Sequence, residues 1–220
     1  YDTTIDWMLF TAMMVACLML QIATNLFNEY YDFKRGLDTA ESVGIGGGIV
    51  RHGLKPKNVL SVAILLYVLA AIVGVYICAN SSWWLVVIGL IGMAVGYLYT
   101  GGPLPIAYTP FGELFAGALM GTAFVLISYF IQTNEITFLS VLISIPSGIL
   151  VGGINMANNI RDIEEDRKGG RKTLAILIGR DNAVRLLAIA FIVSYLWIVA
   201  LVASGSISPW TLVVLLSVRK

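Results

Sequence analysis

The chain has 220 residues, 58% of them hydrophobic and 12% charged, with a net charge of +1 and a mean hydropathy of +0.86. Soluble domains carry about 25% charged and about 45–50% apolar residues, so an ordinary soluble globule is excluded and an integral membrane protein is expected. Nothing in so small a net charge points to a nucleic acid partner, and none is expected.

Uncharged apolar runs divide the chain into seven predicted segments, at about 7–31, 58–79, 83–100, 110–131, 137–160, 182–204 and from 209 onward. The runs do not alternate every second residue, which excludes barrel strands and leaves an all-α, polytopic transmembrane helix bundle. The last segment offers only about ten apolar residues before Arg219, short of the roughly 20 a span needs. With Tyr1 in place of an initiator Met, this suggests a single domain over residues 1–220 that lacks a piece at each end. No basic stretch precedes Trp7 as a cleaved signal would require.

All 14 Lys and Arg fall into three places: Lys34 to Lys57, Arg161 to Arg185, and Arg219 with Lys220. The breaks at 80–82, 132–135 and 205–208 hold none. The positive-inside rule therefore places the loops at about 33–57 and 161–181 on the cytoplasmic side of the cell membrane. Trp83, Trp84 and Trp210 stand at the opposite edges of their segments, where an aromatic belt is expected. Cys17 and Cys78 lie in apolar runs and read as small buried hydrophobes.

One internal repeat is legible. Asn25, Asn28 and Asp32 form N-x-x-N-x-x-x-D, and 130 residues later Asn155, Asn158 and Asp162 form it again. The second copy continues to Asp166; the first has Gly36 at that offset and supplies Asp38. Spacing of i, i+4 and i+8 predicts one helix face for Asn158, Asp162 and Asp166. Both copies stand at cytoplasmic helix ends, so a bundle can bring them to one polar chamber.

Ionisable groups at membrane depth are costly and mark a functional site by default. Oxygen ligands without His or Cys select a hard cation, and Mg²⁺ is commonly held by one or two carboxylates together with substrate phosphates. Arg51, Lys55, Arg167, Arg171 and Lys172 lie near enough in sequence to neutralise phosphate oxygens. The inferred ligand is a diphosphate bridged by Mg²⁺. Lys34, Arg35, Lys57, Arg180 and Arg185 read as membrane anchors, Glu113 as a carboxylate complementing the helix dipole after Thr109-Pro110, and His52 as an interfacial residue. The run Gly44 to Gly48 misses G-x-G-x-x-G because Ile49 holds its last position, and Gly170-Arg171-Lys172-Thr173 lacks the glycine and strand of a P-loop. One histidine beside basic residues builds no nucleophilic triad.

The residues resemble the UbiA-type intramembrane aromatic prenyltransferases, whose mark is two Asp-rich motifs at cytoplasmic helix ends. Four stretches carry the resemblance in order: Asn25 to Asp38, Gly46 to Arg51, Tyr99 to Pro103, and Asn158 to Asp166 followed by Gly170 to Leu174. Together they look like the branch that prenylates 1,4-dihydroxy-2-naphthoate in menaquinone synthesis. The resemblance implies a bundle of nine helices, of which seven segments are present here. It further implies that Asn28, Asp32, Asp38, Asn158, Asp162 and Asp166 hold Mg²⁺. Arg51, Lys172, Arg167, Asn25 and Asn155 then bind the diphosphate, and Tyr99 lines the reaction chamber. Glu29 stands where an Asp is common, and Leu104 where a basic residue is expected after Gly-Gly-Pro.

The implied reaction transfers a polyprenyl group from an allylic polyprenyl diphosphate to 1,4-dihydroxy-2-naphthoate with loss of CO₂, giving demethylmenaquinone in its reduced, quinol form within the lipid bilayer. Two alternatives stand beside it. One is a sister enzyme acting on 4-hydroxybenzoate, haem or a chlorin. The other is a cation-coupled transporter, in which Gly148, Gly152 and Gly153 near Pro146 permit a broken helix.

Overall fold

The structure, a computed structural model, describes residues 4–38 and 47–219. All regular structure among them is helical. Helix α1 (Trp7–Arg35) is followed by α2 (Pro56–Asn80) and α3 (Trp84–Leu98), then a short 3₁₀ turn at Ile106–Tyr108. The fourth segment is continuous but changes pitch: α4 (Gly112–Ala116) passes into a π-helical stretch at Gly117–Ala123 and then into α5 (Phe124–Thr133). Next come α6 (Phe138–Arg161), the short α7 (Ile163–Lys168) and α8 (Leu174–Ile178), and α9 (Arg180–Ala203). The predicted seventh segment is a 3₁₀ helix at Pro209–Arg219 rather than an α-helix.

Five of these helical stretches are long and apolar enough to cross a membrane, α3 being shorter at 15 residues. Their outer faces carry the large apolar side chains that a soluble protein would bury, with Trp84 at 77% exposure and Trp210 at 87%. The protein is a multi-pass membrane protein whose apolar exterior is its lipid surface.

Close packing of small residues joins the helices. Ala23 and Ala63 leave no accessible surface where α1 meets α2, the most extensive helix pair. Between the fourth segment and α6 the contact is backbone on backbone: a Cβ on Gly117 would stand 2.4 Å from Gly148 O, and one on Gly121 2.5 Å from Gly148 Cα. Paired small-x-x-x-small stretches, Gly117 with Gly121 and Gly148 with Gly152, allow this approach. α6 runs through Pro146 and these glycines without interruption. The glycines serve packing, so the broken helix expected of a transporter is not what they make.

The two ends of the bundle differ in character. At one end, the Asp6 backbone N–H donates to the Gln132 side chain at 2.9 Å, tying the start of α1 to the end of α5. An apolar cluster of Leu9, Ala16, Ile77, Cys78, Leu85 and Ile131 lies beneath. Cys78 is buried there as expected. At the other end, where α1, α3 and α6 finish and α2, α4 and α9 begin, the polar residues of both repeat copies collect. Met156, Ile160, Ile163, Ala175 and Ala183 form an apolar base that holds α7 and α8 against α6 and α9.

Candidate active site

Arg171 is the hub of the polar end. Its Nη2 donates to Asp32 Oδ1 at 2.7 Å and its Nη1 to Asp166 Oδ1 at 3.0 Å. One guanidinium thus joins the aspartates of the two motifs. The fork geometry of arginine suits this, because its donors diverge in one plane. Its backbone N–H donates to Asp166 O at 2.9 Å and the next, that of Lys172, to Tyr108 O at 3.0 Å, so the loop after α7 is fixed on both sides. The guanidinium also lies over the Tyr108 ring, 5.3 Å from its centroid.

Burial governs the charges. Asp166 is 4% exposed, and burial pushes its carboxyl up to about 6 against the opposing pull of Arg171. Burial, with the neighbouring Asp32 and Glu29 carboxylates, likewise lifts Asp38 to about 6. Burial works against the Arg171 charge too, but Asp32 and Asp166 more than offset it and hold its pKa above the ordinary value.

The other residues of the repeat are disposed less uniformly than i, i+4, i+8 spacing predicts. Asn28, about two turns before the end of α1, has a buried Oδ1 with no hydrogen-bond partner. Asn25 is exposed, with Gln21 Nε2 donating to it at 3.4 Å. α6 stops at Arg161, and Asp162 leaves the helix with φ −94° and ψ 12°. Asn158 and Asp162 differ from Asp166 in their surroundings: Asn158 is exposed, and Asp162 takes two bonds of 2.6 Å from Arg161. The i−4 hydrogen bonds nevertheless persist through the break, from Asp162 N to Asn158 O and from Asp166 N to Asp162 O, each 2.9 Å.

Of the basic residues expected to meet a diphosphate, Lys172 and Arg167 are exposed, Arg167 lying 3.8 Å from Glu164. Arg51 is exposed and folds over Gly47, where a Cβ would meet its Nε at 2.3 Å. Gly46, counted with the same glycine run, lies outside the described residues.

Four residues matter more than sequence spacing indicates. Glu29 Oε2 accepts from Gly47 N at 2.7 Å and its Oε1 from Ile49 N at 2.9 Å, so this carboxylate pins the returning loop to α1. An Asp, one methylene shorter, has less reach, which makes the departure from the motif meaningful. Arg35 is no mere anchor: it donates to the carbonyls of Thr100 and Gly102, clamping the Gly-Gly-Pro turn. Glu113 Oε1 accepts from Asn159 Nδ2 at 2.8 Å, joining α4 to α6 within the bundle. Tyr99 donates to Asn155 Oδ1 at 3.0 Å, so this asparagine is held against α3.

Among the described residues no three His, Cys, Asp or Glu side chains converge on one metal position. The donor set nonetheless fits a hard cation that arrives with phosphate. Asn28 Oδ1 and Asp166 Oδ2 are buried acceptors without a donor, and Mg²⁺ takes one or two such oxygens while phosphates and water complete its shell. Farther along α1, a cavity of about 400 Å³ lies between Phe10, Met13, Met14 and Cys17 and the α5 residues Phe124, Val125 and Ser128. Cys17 and Asn28 are 11 residues apart on α1, about 16 Å along the axis.

A model of the UbiA prenyltransferase family matches residues 1–219. The chain belongs to this family. It is 69% identical over 216 residues to 1,4-dihydroxy-2-naphthoate octaprenyltransferase of Bacillus subtilis, covering 98% of this chain and 70% of that protein. The Mycobacterium tuberculosis protein of the same name is 31% identical over 212 residues, covering 94% and 69%. A UbiA homologue from Archaeoglobus fulgidus, solved with DMAPP and Mg²⁺, shares the fold at a TM-score of 0.68 and 16% identity, covering 89% of this chain and 67% of that one.

Proposed function

We propose that this UbiA-family membrane enzyme transfers a polyprenyl group from an allylic polyprenyl diphosphate to 1,4-dihydroxy-2-naphthoate, with loss of CO₂, and that residues 1–220 act as one domain. The observation that carries the reading is the meeting of the two repeated motifs on Arg171, at the basic end of an otherwise apolar bundle. The 69% identity to the Bacillus subtilis enzyme supports the naphthoate as acceptor. A transporter site belongs near the bilayer midplane, whereas these groups gather at one end.

Asn28, Asp32, Asp38, Asn158, Asp162 and Asp166 are the residues that would hold Mg²⁺. When bound there with the diphosphate, the ion supplies positive charge that stabilises the leaving group. The chain's own residues do the rest. Arg171 stands between the motifs, and the exposed Lys172, Arg167 and Arg51 can turn toward phosphate oxygens, so charge is in place where it develops as the allylic C–O bond breaks. Asn25, one turn before Asn28 on α1, would contact the same group. Tyr99 and Tyr108 border the chamber. The mostly apolar cavity between α1 and α5 would receive the prenyl tail. Glu29 and Arg35 hold the covering loop and the Gly-Gly-Pro turn in place, which keeps water from the reactive allylic carbon. The chamber opens to the cytoplasm, at the cell membrane.

The test is prenyl transfer in liposomes with a labelled allylic diphosphate and either 1,4-dihydroxy-2-naphthoate or 4-hydroxybenzoate, with and without Mg²⁺. Metal-dependent product and CO₂ release with the naphthoate alone are expected. Product with 4-hydroxybenzoate alone would move the protein to the sister reaction. Asp162→Asn should remove metal-dependent turnover from a folded protein; retained turnover would exclude Asp162 from the site.

A further inference from the structure

Next to the diphosphate end lies a pair of buried atoms without partners, one of them on Asn155, which the resemblance assigns to the diphosphate and whose oxygen is instead taken by Tyr99. Glu113 accepts from Asn159 through Oε1, while its Oε2 is buried without a partner. Asn155 accepts from Tyr99 through Oδ1, while its Nδ2 is buried without a partner. One is an unused acceptor and the other an unused donor. They do not bond to each other, although Asn155 and Asn159 are one turn apart on α6 and both face the start of α4.

Packing holds the two atoms there. Gly112, immediately before Glu113, has no side chain in a place where a Cβ would stand 3.2 Å from Asn155 Nδ2 and 3.1 Å from the Tyr99 hydroxyl. Gly152 lets α6 approach so closely that a Cβ there would stand 2.9 Å from Glu113 O. The backbones are thus locked at the height where the side chains meet. Tyr99, which holds Asn155, in turn stands within electrostatic reach of Glu113, Arg171 and Asp166, so the pair lies near the polar end where the two motifs collect.

The chemistry of the pair selects its ligand. A diphosphate presents only acceptors and would be repelled by the Glu113 carboxylate. A cation would be repelled by the Asn155 N–H. A hydroxyl suits both, because its proton can go to the carboxylate while its oxygen accepts from the amide.

We propose that Glu113 and Asn155 form the subsite for a ring hydroxyl of the aromatic acceptor, with Glu113 Oε2 accepting from that hydroxyl and Asn155 Nδ2 donating to it. Glu113 then has a catalytic part, because it touches the reacting ring system. As the carboxyl-bearing ring carbon attacks the allylic carbon, the C–C bond forms and the C–O bond breaks with its electron pair leaving on the diphosphate. Positive charge spreads over the ring to the hydroxyl oxygen, and the carboxylate beside that proton stabilises it. The bond to the carboxyl carbon then breaks, CO₂ departs and its electron pair restores the aromatic ring. The hydroxyl proton stays within its hydrogen bond, so no external acid or base is consumed. The inference rests on the proposed prenyl transfer.

Its test uses the purified protein in liposomes with three acceptors: 1,4-dihydroxy-2-naphthoate, 1-hydroxy-2-naphthoate and 4-hydroxy-2-naphthoate. Glu113→Gln should raise KM for the dihydroxy acceptor at least ~10-fold while KM for the allylic diphosphate stays within ~2-fold. The wild-type preference for the dihydroxy acceptor over one monohydroxy analogue should shrink toward unity in the variant, since the hydroxyl no longer meets its carboxylate. Glu113→Asp should restore part of both. Titration of the naphthoate's own fluorescence in the absence of metal should show the same loss of affinity. A folded Glu113→Gln protein with unchanged acceptor KM and unchanged hydroxyl preference would overturn the subsite. Should that variant fail to fold, Asn155→Ala carries the same test with the same two readouts. If the wild-type protein prenylates none of the three acceptors, it is the proposed reaction that fails; wild-type turnover with an indifferent variant refutes only the role of Glu113 and Asn155.

Discussion

At Arg171, the buried Asp166 and the half-buried Asp32 share one cation, and that sets what its loss should do. Arg171→Ala leaves Asp32 and Asp166 facing each other without compensation, so unfolding in detergent should cost ~3 kcal/mol less than in the wild type. Turnover should fall ~100-fold, since fixed charge at the leaving group is removed. Arg171→Lys keeps the charge but cannot span both aspartates as a planar fork does, so turnover between those limits is expected. The Asp166 carboxyl, raised to about 6 by burial, adds a pH dependence whose sign follows from linkage. Its folded pKa lies above its unfolded value, so its contribution to stability is present in full below about pH 4 and lost as pH rises through about 6. Melting temperatures of the metal-free protein should fall across that window, and Asp166→Asn should remove its share of the slope. Asp38 acts in the same direction.

At the scale of elements, the contact between the fourth segment and α6 predicts a contrast between glycines of one helix pair. A Cβ on Gly121 would stand 2.5 Å from Gly148 Cα, which is backbone and cannot rotate away, whereas one on Gly153 would meet only Leu187 Cδ1 at 3.3 Å. Gly121→Ala should therefore destabilise the protein by ~1–3 kcal/mol through overpacking, while Gly153→Ala should melt close to the wild type. A second prediction belongs to the loop that Glu29 holds: Glu29→Ala frees Gly47 and Ile49 from α1, so proteolysis within residues 47–57 should quicken and KM for the allylic diphosphate should rise. How these elements looked in the sequence explains what was legible there. The spans at 58–79 and 137–160 matched α2 and α6 within about two residues, because uncharged runs bounded by polar residues leave little choice of boundary. Invisible in advance were the π-helical stretch at Gly117–Ala123 and the exit of Asp162 from α6. Both depend on which backbone groups find partners across the bundle, and local spacing carries no such information. The glycines near Pro146 were open to a reading as breaks for a similar reason: a glycine that permits close approach and one that permits a break look alike until the opposite helix is known.

For the whole molecule, the asymmetry of the two ends was legible because it lies in residue types rather than in contacts. Basic residues, both motif copies and the Gly-Gly-Pro turn share one end, while Asp6, Gln132 and the tryptophans 83, 84 and 210 mark the other. What composition could not supply was the partnership within the polar end, where Arg171 was only one of several basic neighbours until the fold placed Asp32 and Asp166, 134 residues apart in sequence, on its two arms. The proposed cytoplasmic orientation of that end rests on the cost of moving charge across a bilayer, since loops rich in Lys and Arg are retained on the cytoplasmic side. It can be tested with single cysteines in a background carrying Cys17→Ala and Cys78→Ala, labelled in intact cells by a membrane-impermeant maleimide. Ser81→Cys and Ser206→Cys, in turns without basic residues, should react in intact cells; Lys168→Cys and Lys57→Cys should react only after permeabilisation. Labelling of Lys168→Cys in intact cells would place the polar chamber outside. The proposed prenyl transfer would then have to draw its charged acceptor from outside the cell.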